Sequence, residues 1–332
     1  MAKLRIGVAG LHHWYSAIPF VKSAINSNSV SLIAIAHEDK EQLDDVLGSL
    51  DDGSITTFTD PLEMVMREDI DVVASFLPTN RNAAVCVAAL ESGKHVISTK
   101  PVAFTVDEAS RVRDAVQQSG RFFWGYETYQ RQLPWVKQVK AWVDSGKLGA
   151  VRTITWQSHS GLPRRWHDSS CLGWWVDANQ APGGAWIDHA IYHLDVSCYL
   201  LDSDPTDVSG VAGNLRYKDL SLEDYGTASF TFESDCVVNI EDTWIATLPF
   251  GTRFSLLADE GWIKYNVGEP TITYRTRAMK QPEVVKISTE GPNIVEIVAQ
   301  EIAQGVSGLK NASDSLRNLD WCLRFYQKAE RM

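Results

Sequence analysis

Two stretches far apart in this chain carry three side chains able to handle the proton of an alcohol–carbonyl interconversion. Lys100 closes the run Ser98-Thr99-Lys100-Pro101 at the end of a predicted β-strand. Asp188 and Tyr192 lie in Gly183-Gly184-Ala185-Trp186-Ile187-Asp188-His189-Ala190-Ile191-Tyr192-His193-Leu194-Asp195, four residues apart on one face of a predicted helix. An ammonium, a carboxylate and a phenol that converge beside a redox cofactor divide the work of orienting a hydroxyl and exchanging its proton.

The first half of the chain holds the elements that would position Lys100. Strands are predicted at 4–10, 30–36, 71–77, 95–98 and 122–125, alternating with helices at 15–27, 40–50, 80–92 and 106–120. Such alternation implies a parallel, doubly wound sheet with helices on both faces. Beyond residue 125 the pattern changes. A helix at 133–145 is followed by a strand at 151–157, a loop rich in Trp, Arg, Gly and Ser, and the Gly183-Gly184 helix. Residues 208–274 alternate as strands of an open, mostly antiparallel sheet, and two helices close the chain at 292–305 and 312–330. The expected class is α/β: a Rossmann domain over 1–123, then an α+β substrate and oligomerisation domain over 124–332 whose C-terminal helix packs back on the first.

A dinucleotide is expected at the first strand–helix turn, where a pyrophosphate meets a helix N-terminus. Gly10 opens that turn, but the G-x-G-x-x-G pattern reads Gly10-Leu11-His12-His13-Trp14-Tyr15, with His12 and Tyr15 in the second and third glycine places. One reading is a turn that binds nothing; another has His12 or His13 donating hydrogen bonds to phosphate. After the second strand, Glu38 suits the adenosine ribose hydroxyls and repels a 2′-phosphate, whereas His37 tolerates one. The expected cofactor is NAD, with NADP the alternative. Leu77, Pro78, Asn82, Lys100 and Pro101, at or just after the ends of later strands, complete the expected cofactor contacts.

Four ordered motifs resemble the Gfo/Idh/MocA oxidoreductase family, over nearly the whole chain. Ala89-Leu90-Glu91-Ser92-Gly93-Lys94-His95-Val96-Ile97-Ser98-Thr99-Lys100-Pro101 is similar to its AALEAGKHVxxEKP run. Gly125-Tyr126 through Pro134 is similar to GYNxRFxP, Gly146-Lys147-Leu148-Gly149-Ala150-Val151-Arg152 to GxLGxVR, and Gly183 through Asp195 to GGxxxDxGxHxxD. The resemblance implies a Rossmann domain followed by an α+β domain whose open sheet often mediates oligomerisation. It also implies NAD(P)-dependent oxidation or reduction, commonly of sugars and cyclitols. By it, Lys100 matches the catalytic, nicotinamide-contacting lysine and Asp188 the active-site aspartate. Tyr192 stands where most relatives have a catalytic histidine; a tyrosine there resembles the glucose–fructose oxidoreductase branch. Two departures stand out: Thr99 replaces a glutamate before Lys-Pro, and Trp174-Trp175-Val176-Asp177 lacks the arginine of W-R-x-D.

Tyr192 is then expected to take the hydroxyl proton in the oxidising direction, helped by Lys100, whose charge would lower the phenol pKa. Asp188 orients the substrate or Lys100. For the substrate, Tyr126, Trp166, Trp175 and His193 are expected to line an aromatic sugar pocket, core packing being the alternative for the tryptophans. Arg164 and Arg165 suit an anionic group such as a uronate or sulfonated sugar, or else a solvated loop. His193 competes with Tyr192 but projects about 100° away on a helix. Two other functions share these residues: a NAD-dependent glycosidase working by transient oxidation and elimination, and an inactive dinucleotide or sugar sensor.

Composition narrows the rest. The 332 residues suit two domains, and a net charge of −11 argues against nucleic-acid binding. No apolar run is long enough for a membrane span, and the chain enters a strand pattern with no room for a signal peptide. The five cysteines, Cys86, Cys171, Cys198, Cys236 and Cys322, are scattered without a C-x-x-C, which fits a reducing cytoplasm and no metal site. A homodimer or homotetramer is expected, because an open sheet face must be covered.

Overall fold

The computed structural model describes residues 3–50, 54–166, 168–248 and 251–332. The first layer system comprises β1 (Leu4–Ala9), α1 (Trp14–Ile25), β2 (Val30–Ala36), α2 (Lys40–Gly48), β3 (Thr56–Phe58), α3 (Pro61–Val65), β4 (Val72–Ser75), α4 (Thr79–Glu91), β5 (His95–Ser98), α5 (Val106–Ser119) and β6 (Phe123–Gly125). All its paired strands are parallel, in the order β3-β2-β1-β4-β5-β6 among the described residues. Burial on both faces explains the near-continuous apolar runs of β1, β2 and β4. The order reverses between β1 and β4, which opens a crevice at the carboxyl ends of those strands.

Local chemistry sets the helix ends. Thr105 and Glu108 form a capping box at the start of α5, and Gly120 ends that helix in the left-handed region at φ 63°. Asp39 and Asp60 cap α2 and α3 by accepting from Gln42 N and Leu62 N. β3 and α3 were not anticipated: a three-residue strand gives no usable alternation, and only Asp60-Pro61 marked the helix. The strand expected at 71–77 shortens to Val72–Ser75, although the Phe76 N–H still donates to the Ala9 carbonyl of β1.

The chain then forms a short 3-10 stretch (Tyr126–Gln132), α6 (Pro134–Asp144), β7 (Val151–His159), a single 3-10 turn (Trp174–Val176) and α7 (Ala185–Leu201). There follow β8 (Pro205–Gly213), β9 (Tyr225–Phe232), β10 (Val237–Thr243), β11 (Gly251–Ala258), β12 (Gly261–Asn266), β13 (Thr271–Thr276), β14 (Glu283–Lys286), α8 (Ile294–Ala303), α9 (Leu309–Lys328) and β15 (Glu330–Arg331). The second sheet runs β14-β13-β12-β11-β7-β10-β9-β8-β15 and is antiparallel except at β7/β10 and β15/β8. α6 and α7 cover its inner face, where Trp156, Trp186, Phe230 and Phe254 are buried. The outer face alternates Thr153, Thr155, Gln157 and His159 on β7, all half-buried.

The last helices return to the first sheet: α9 packs on α5, β6 and α7, and α8 on α1 and β2. Arg131 sits at this junction and bridges two buried carboxylates, Asp195 of α7 and Asp314 of α9. Among the described residues no helix is long and apolar enough to cross a membrane.

Candidate active site

The parallel pairing of β5 with β4 continues to Thr99, whose N–H donates to the Ser75 carbonyl at 2.9 Å. That delivers Lys100, followed by a cis Pro101, to the sheet's carboxyl edge with only 2% of its surface exposed. Its Nζ donates to the Asp188 backbone carbonyl and, at 2.8 Å, to Asp188 Oδ1. The same ammonium lies 4.4 Å from the centre of the Trp175 ring and 4.9 Å from that of Tyr192.

Asp188 is held by the start of α7. The N–H groups of Gly184 and Trp186 donate to the buried Glu223 carboxylate, which also accepts from Tyr326 OH. A β-carbon on Gly184 would stand 2.2 Å from the Glu223 carbonyl oxygen, so glycine alone fits. Four residues in, Asp188 accepts from Lys100 on one oxygen and from Trp244 Nε1 on the other, at 3.2 Å. Burial would raise its pKa, but Lys100, His189 and Trp244 outweigh burial and hold the carboxyl well below its usual range.

Tyr192 follows one turn later in the same cavity. Burial, with Tyr15 and Asp188, raises its phenol well above the ordinary value. The expectation that Lys100 lowers this pKa is therefore corrected: the ammonium is aimed at Asp188 and at the faces of the rings. His193, expected as a substrate contact and as a rival to Tyr192, also borders the cavity. It stacks on Trp156 with centroids 4.4 Å apart and places Nε2 2.8 Å from Ser158 Oγ. Burial takes its imidazole down to about 3, so it is neutral at physiological pH. Asp242 lies 3.6 Å from the same nitrogen, its two carboxylate oxygens lacking partners among the described residues.

These groups border a cavity of about 580 Å³ that includes Tyr126, Tyr129, Trp135, Trp156 and Trp175, with Gln130, Ser160 and Thr252 as polar contacts. Trp166, Arg164 and Arg165, expected to meet the substrate, lie elsewhere. They border a second cavity of about 490 Å³ with His12, His37 and Glu38. Their hairpin turns toward the end of β2 rather than toward Lys100.

The expected cofactor residues divide in the same way. His12, His37 and Glu38 form one network: His12 Nε2 lies 2.9 Å from Glu38 Oε1, which also accepts from Arg81 at 2.8 Å. Leu11 N–H points at His37 Nδ1 and His37 Nε2 meets Gln42 Oε1 at 2.7 Å, which places the His37 proton on Nε2. One ligand atom from each of His12, His37 and Glu38 falls within 4.8 Å of the others, but His37 has both nitrogens engaged. Gly10 makes the turn at φ 82°, where a β-carbon would meet Leu77 Cδ2 at 2.7 Å. Leu77, Pro78 and Pro101 are buried behind it and border neither cavity. Asn82 and His13 are corrections. Asn82 is wholly buried, accepting from Ser75 Oγ and donating to Ser98 Oγ and the Val102 carbonyl. His13 is 1% exposed, its Nδ1 held 2.9 Å from Tyr15 OH; burial, with Lys100 and His12, lowers its pKa.

The two cavities share no bordering residue. Between them stand His13 and the stacked pair Trp174–Trp175, whose centroids are 4.4 Å apart. Trp174 Nε1 donates to the His12 carbonyl and Trp175 Nε1 to Tyr15 OH. Both cavities lie along the crevice; at the start of α1 the His13 N–H donates to the Phe76 carbonyl and the Ser16 N–H to the His13 carbonyl. Lys100 at one cavity and Glu38 at the other are groups of the kinds that would hold the two ends of a dinucleotide. Sequence reasoning did not find Tyr15, Ser158, Thr252 or Trp244 as bordering or supporting groups. Only Tyr15 carried a signal, as a departure from the glycine pattern.

Comparison with known proteins identifies the family. Residues 4–126 match the model of the oxidoreductase family with an NAD-binding Rossmann fold, and residues 136–264 match the GFO/IDH/MocA C-terminal domain. The chain belongs to the GFO/IDH/MocA oxidoreductase family. It is 24% identical over 217 residues to the uncharacterized oxidoreductase YrbE of Bacillus subtilis, covering 64% of this chain and 60% of that protein's length. It is 23% identical over 268 residues to the scyllo-inositol 2-dehydrogenase (NAD(+)) of the same organism, covering 79% and 72%. A levoglucosan dehydrogenase solved with NADH and levoglucosan superposes with a TM-score of 0.82 at 20% identity, covering 99% of this chain and 98% of that one.

Proposed function

We propose that the chain is a NAD(P)-dependent oxidoreductase transferring a hydride between the nicotinamide and a hydroxyl or carbonyl of a sugar, sugar derivative or cyclitol. The observation that carries this reading is the buried Lys100–Asp188 ion pair one helical turn from Tyr192, at the wall of an aromatic cavity. Aromatic faces with a few convergent polar groups suit a sugar ring. The bound cofactor supplies hydride acceptance and donation.

The chain's own residues manage the proton. Tyr192, raised by burial, keeps its phenolic proton at neutral pH and is equipped to give it to a carbonyl oxygen. In oxidation Tyr192 can accept the hydroxyl proton only as the phenolate, after giving up its own proton, and the Lys100 ammonium near its ring would steady that charge. Asp188, ionised and fixed by Trp244, keeps Lys100 in place. His193, neutral and stacked on Trp156, serves as a polar wall of the cavity.

Glu38 favours NAD, since its carboxylate would oppose a 2′-phosphate. A division at 123/124 would fall inside β6, the last strand of the first sheet, so the change from one sheet to the other, which comes between β6 and β7, supports a boundary somewhat later. The half-buried outer face of the second sheet supports a homo-oligomer, and the five free cysteines support a reducing cytoplasm. The test is calorimetry of NAD and NADP on nucleotide-free protein, followed by a sugar and cyclitol panel. Binding of neither dinucleotide would end this reading.

A further inference from the structure

The turn after β1 has no positive side chain free to meet a pyrophosphate. His13 is buried beside Lys100 with its pKa lowered, and His12 is engaged with Glu38. The second domain brings two cations to the same place. Residues 163–165 pair with 171–173 as a hairpin: Gly173 N donates to the Pro163 carbonyl, Arg165 N to the Cys171 carbonyl, and Arg164 bridges to Leu172. The hairpin is latched to the turn, since Trp14 Nε1 donates to the Arg164 carbonyl and Trp174 Nε1 to that of His12.

Arg164 and Arg165 border the cavity of His12, His37 and Glu38. Four carboxylates border it too, and each is engaged. Glu38 has His12 and Arg81, Asp39 caps α2, Asp168 accepts from Ser170, and Asp177 accepts from Asn179 and Gln180. By contrast, Arg164 donates only to the Ser170 carbonyl through Nη1, and the Arg165 guanidinium has no partner among the described residues. The groups with spare hydrogen-bonding capacity are the arginines, whose planar forks match phosphate oxygens.

We infer that Arg164 and Arg165 bind the pyrophosphate of the dinucleotide from across the domain boundary. They supply the charge that the altered glycine turn and the missing arginine of the Trp174–Asp177 segment do not. This rests on the dinucleotide reading above, and it moves the two arginines from the sugar to the cofactor.

The experiment is calorimetric titration of NAD, NADP and adenosine into wild type, Arg164→Ala/Arg165→Ala and Arg165→Lys, with melting temperatures measured alongside. The double variant is expected to bind NAD and NADP about 10- to 100-fold more weakly, by equal factors, as for lost hydrogen bonds to a charged group. Adenosine affinity and melting temperature stay as in wild type, and Arg165→Lys falls between. Unchanged dinucleotide affinity in the double variant, with wild type binding normally, overturns the inference alone. Loss confined to NADP also overturns it, assigning the arginines to the 2′-phosphate. Absence of dinucleotide binding in wild type removes the functional reading and this inference together.

Discussion

Lys100 and Asp188 form an ion pair across 88 positions of sequence, Nζ to Oδ1 at 2.8 Å, with side-chain exposures of 2% and 13%. One partner ends a strand of the first sheet and the other lies in the first turns of α7. The pair therefore joins the two halves of the fold at the point where the chemistry is proposed.

Removing one partner leaves a buried charge unpaired. Lys100→Met is expected to lower kcat by about 100-fold or more and to cost about 3 kcal/mol of stability. Adding Asp188→Asn should return much of the stability and none of the turnover. Thermal unfolding and steady-state kinetics of both single variants and the double variant check this; additive stability losses would show that the pair is not coupled.

Tyr192→Phe keeps the ring against Lys100 and deletes only the hydroxyl. Turnover with the sugar identified by screening should fall by about 10²- to 10⁴-fold, with melting temperature and dinucleotide affinity retained. Any alkaline limb of the wild-type kcat profile due to this phenol should vanish. A variant with unchanged kcat would remove Tyr192 from the mechanism.

Glu127 gives a pH prediction. It is wholly buried, and burial pushes its pKa up to about 7 against the opposing effect of the Ser315 hydroxyl. A carboxyl with a raised folded pKa binds its proton more tightly when folded. Its favourable contribution is therefore lost as pH rises from the unfolded value, about 4.3, through about 7, at no more than about 1.4 kcal/mol per unit. Glu127→Gln should melt above wild type at pH 8, and the gap should close toward pH 5. A gap independent of pH would contradict this.

Arg131 donates to Asp195 and to Asp314, both buried, and so ties α7 to α9. Arg131→Leu removes the cation shared by two buried carboxylates, leaving Asp195 with Asn318 and Arg317 and Asp314 with Lys310 and Arg317, and should cost about 3 kcal/mol, read as a drop in the denaturation midpoint. Replacement of all three residues by apolar ones of similar size should recover much of that loss. A small effect of Arg131→Leu alone would mean that Arg317, which reaches the same aspartates, suffices.

Much of this was legible in sequence because it rests on local rules. The strand end before Pro101 and the spacing of four between Asp188 and Tyr192 needed no knowledge of distant contacts. Trp244 was not legible: it reaches Asp188 only because β10 lies beside β9 and under α7. The destination of Arg164 and Arg165 was misread for a related reason. An aromatic loop signals a binding surface, but the hairpin's direction, fixed by contacts to Trp14 and His12, decides which cavity it borders. Asn82 read as a cofactor contact from its place after a strand, yet it faces inward and ties β4 to β5.

Trp175 belongs to two environments at once, as part of the wall around Lys100 and as a partner of Tyr15 on the cofactor turn. A ligand that displaced Tyr15 would be expected to move Trp175 and with it one wall of the proposed sugar cavity. The two ligands should then add in a fixed kinetic order, dinucleotide leading. A carbohydrate library screened without dinucleotide present would be tested against a compartment of the wrong shape.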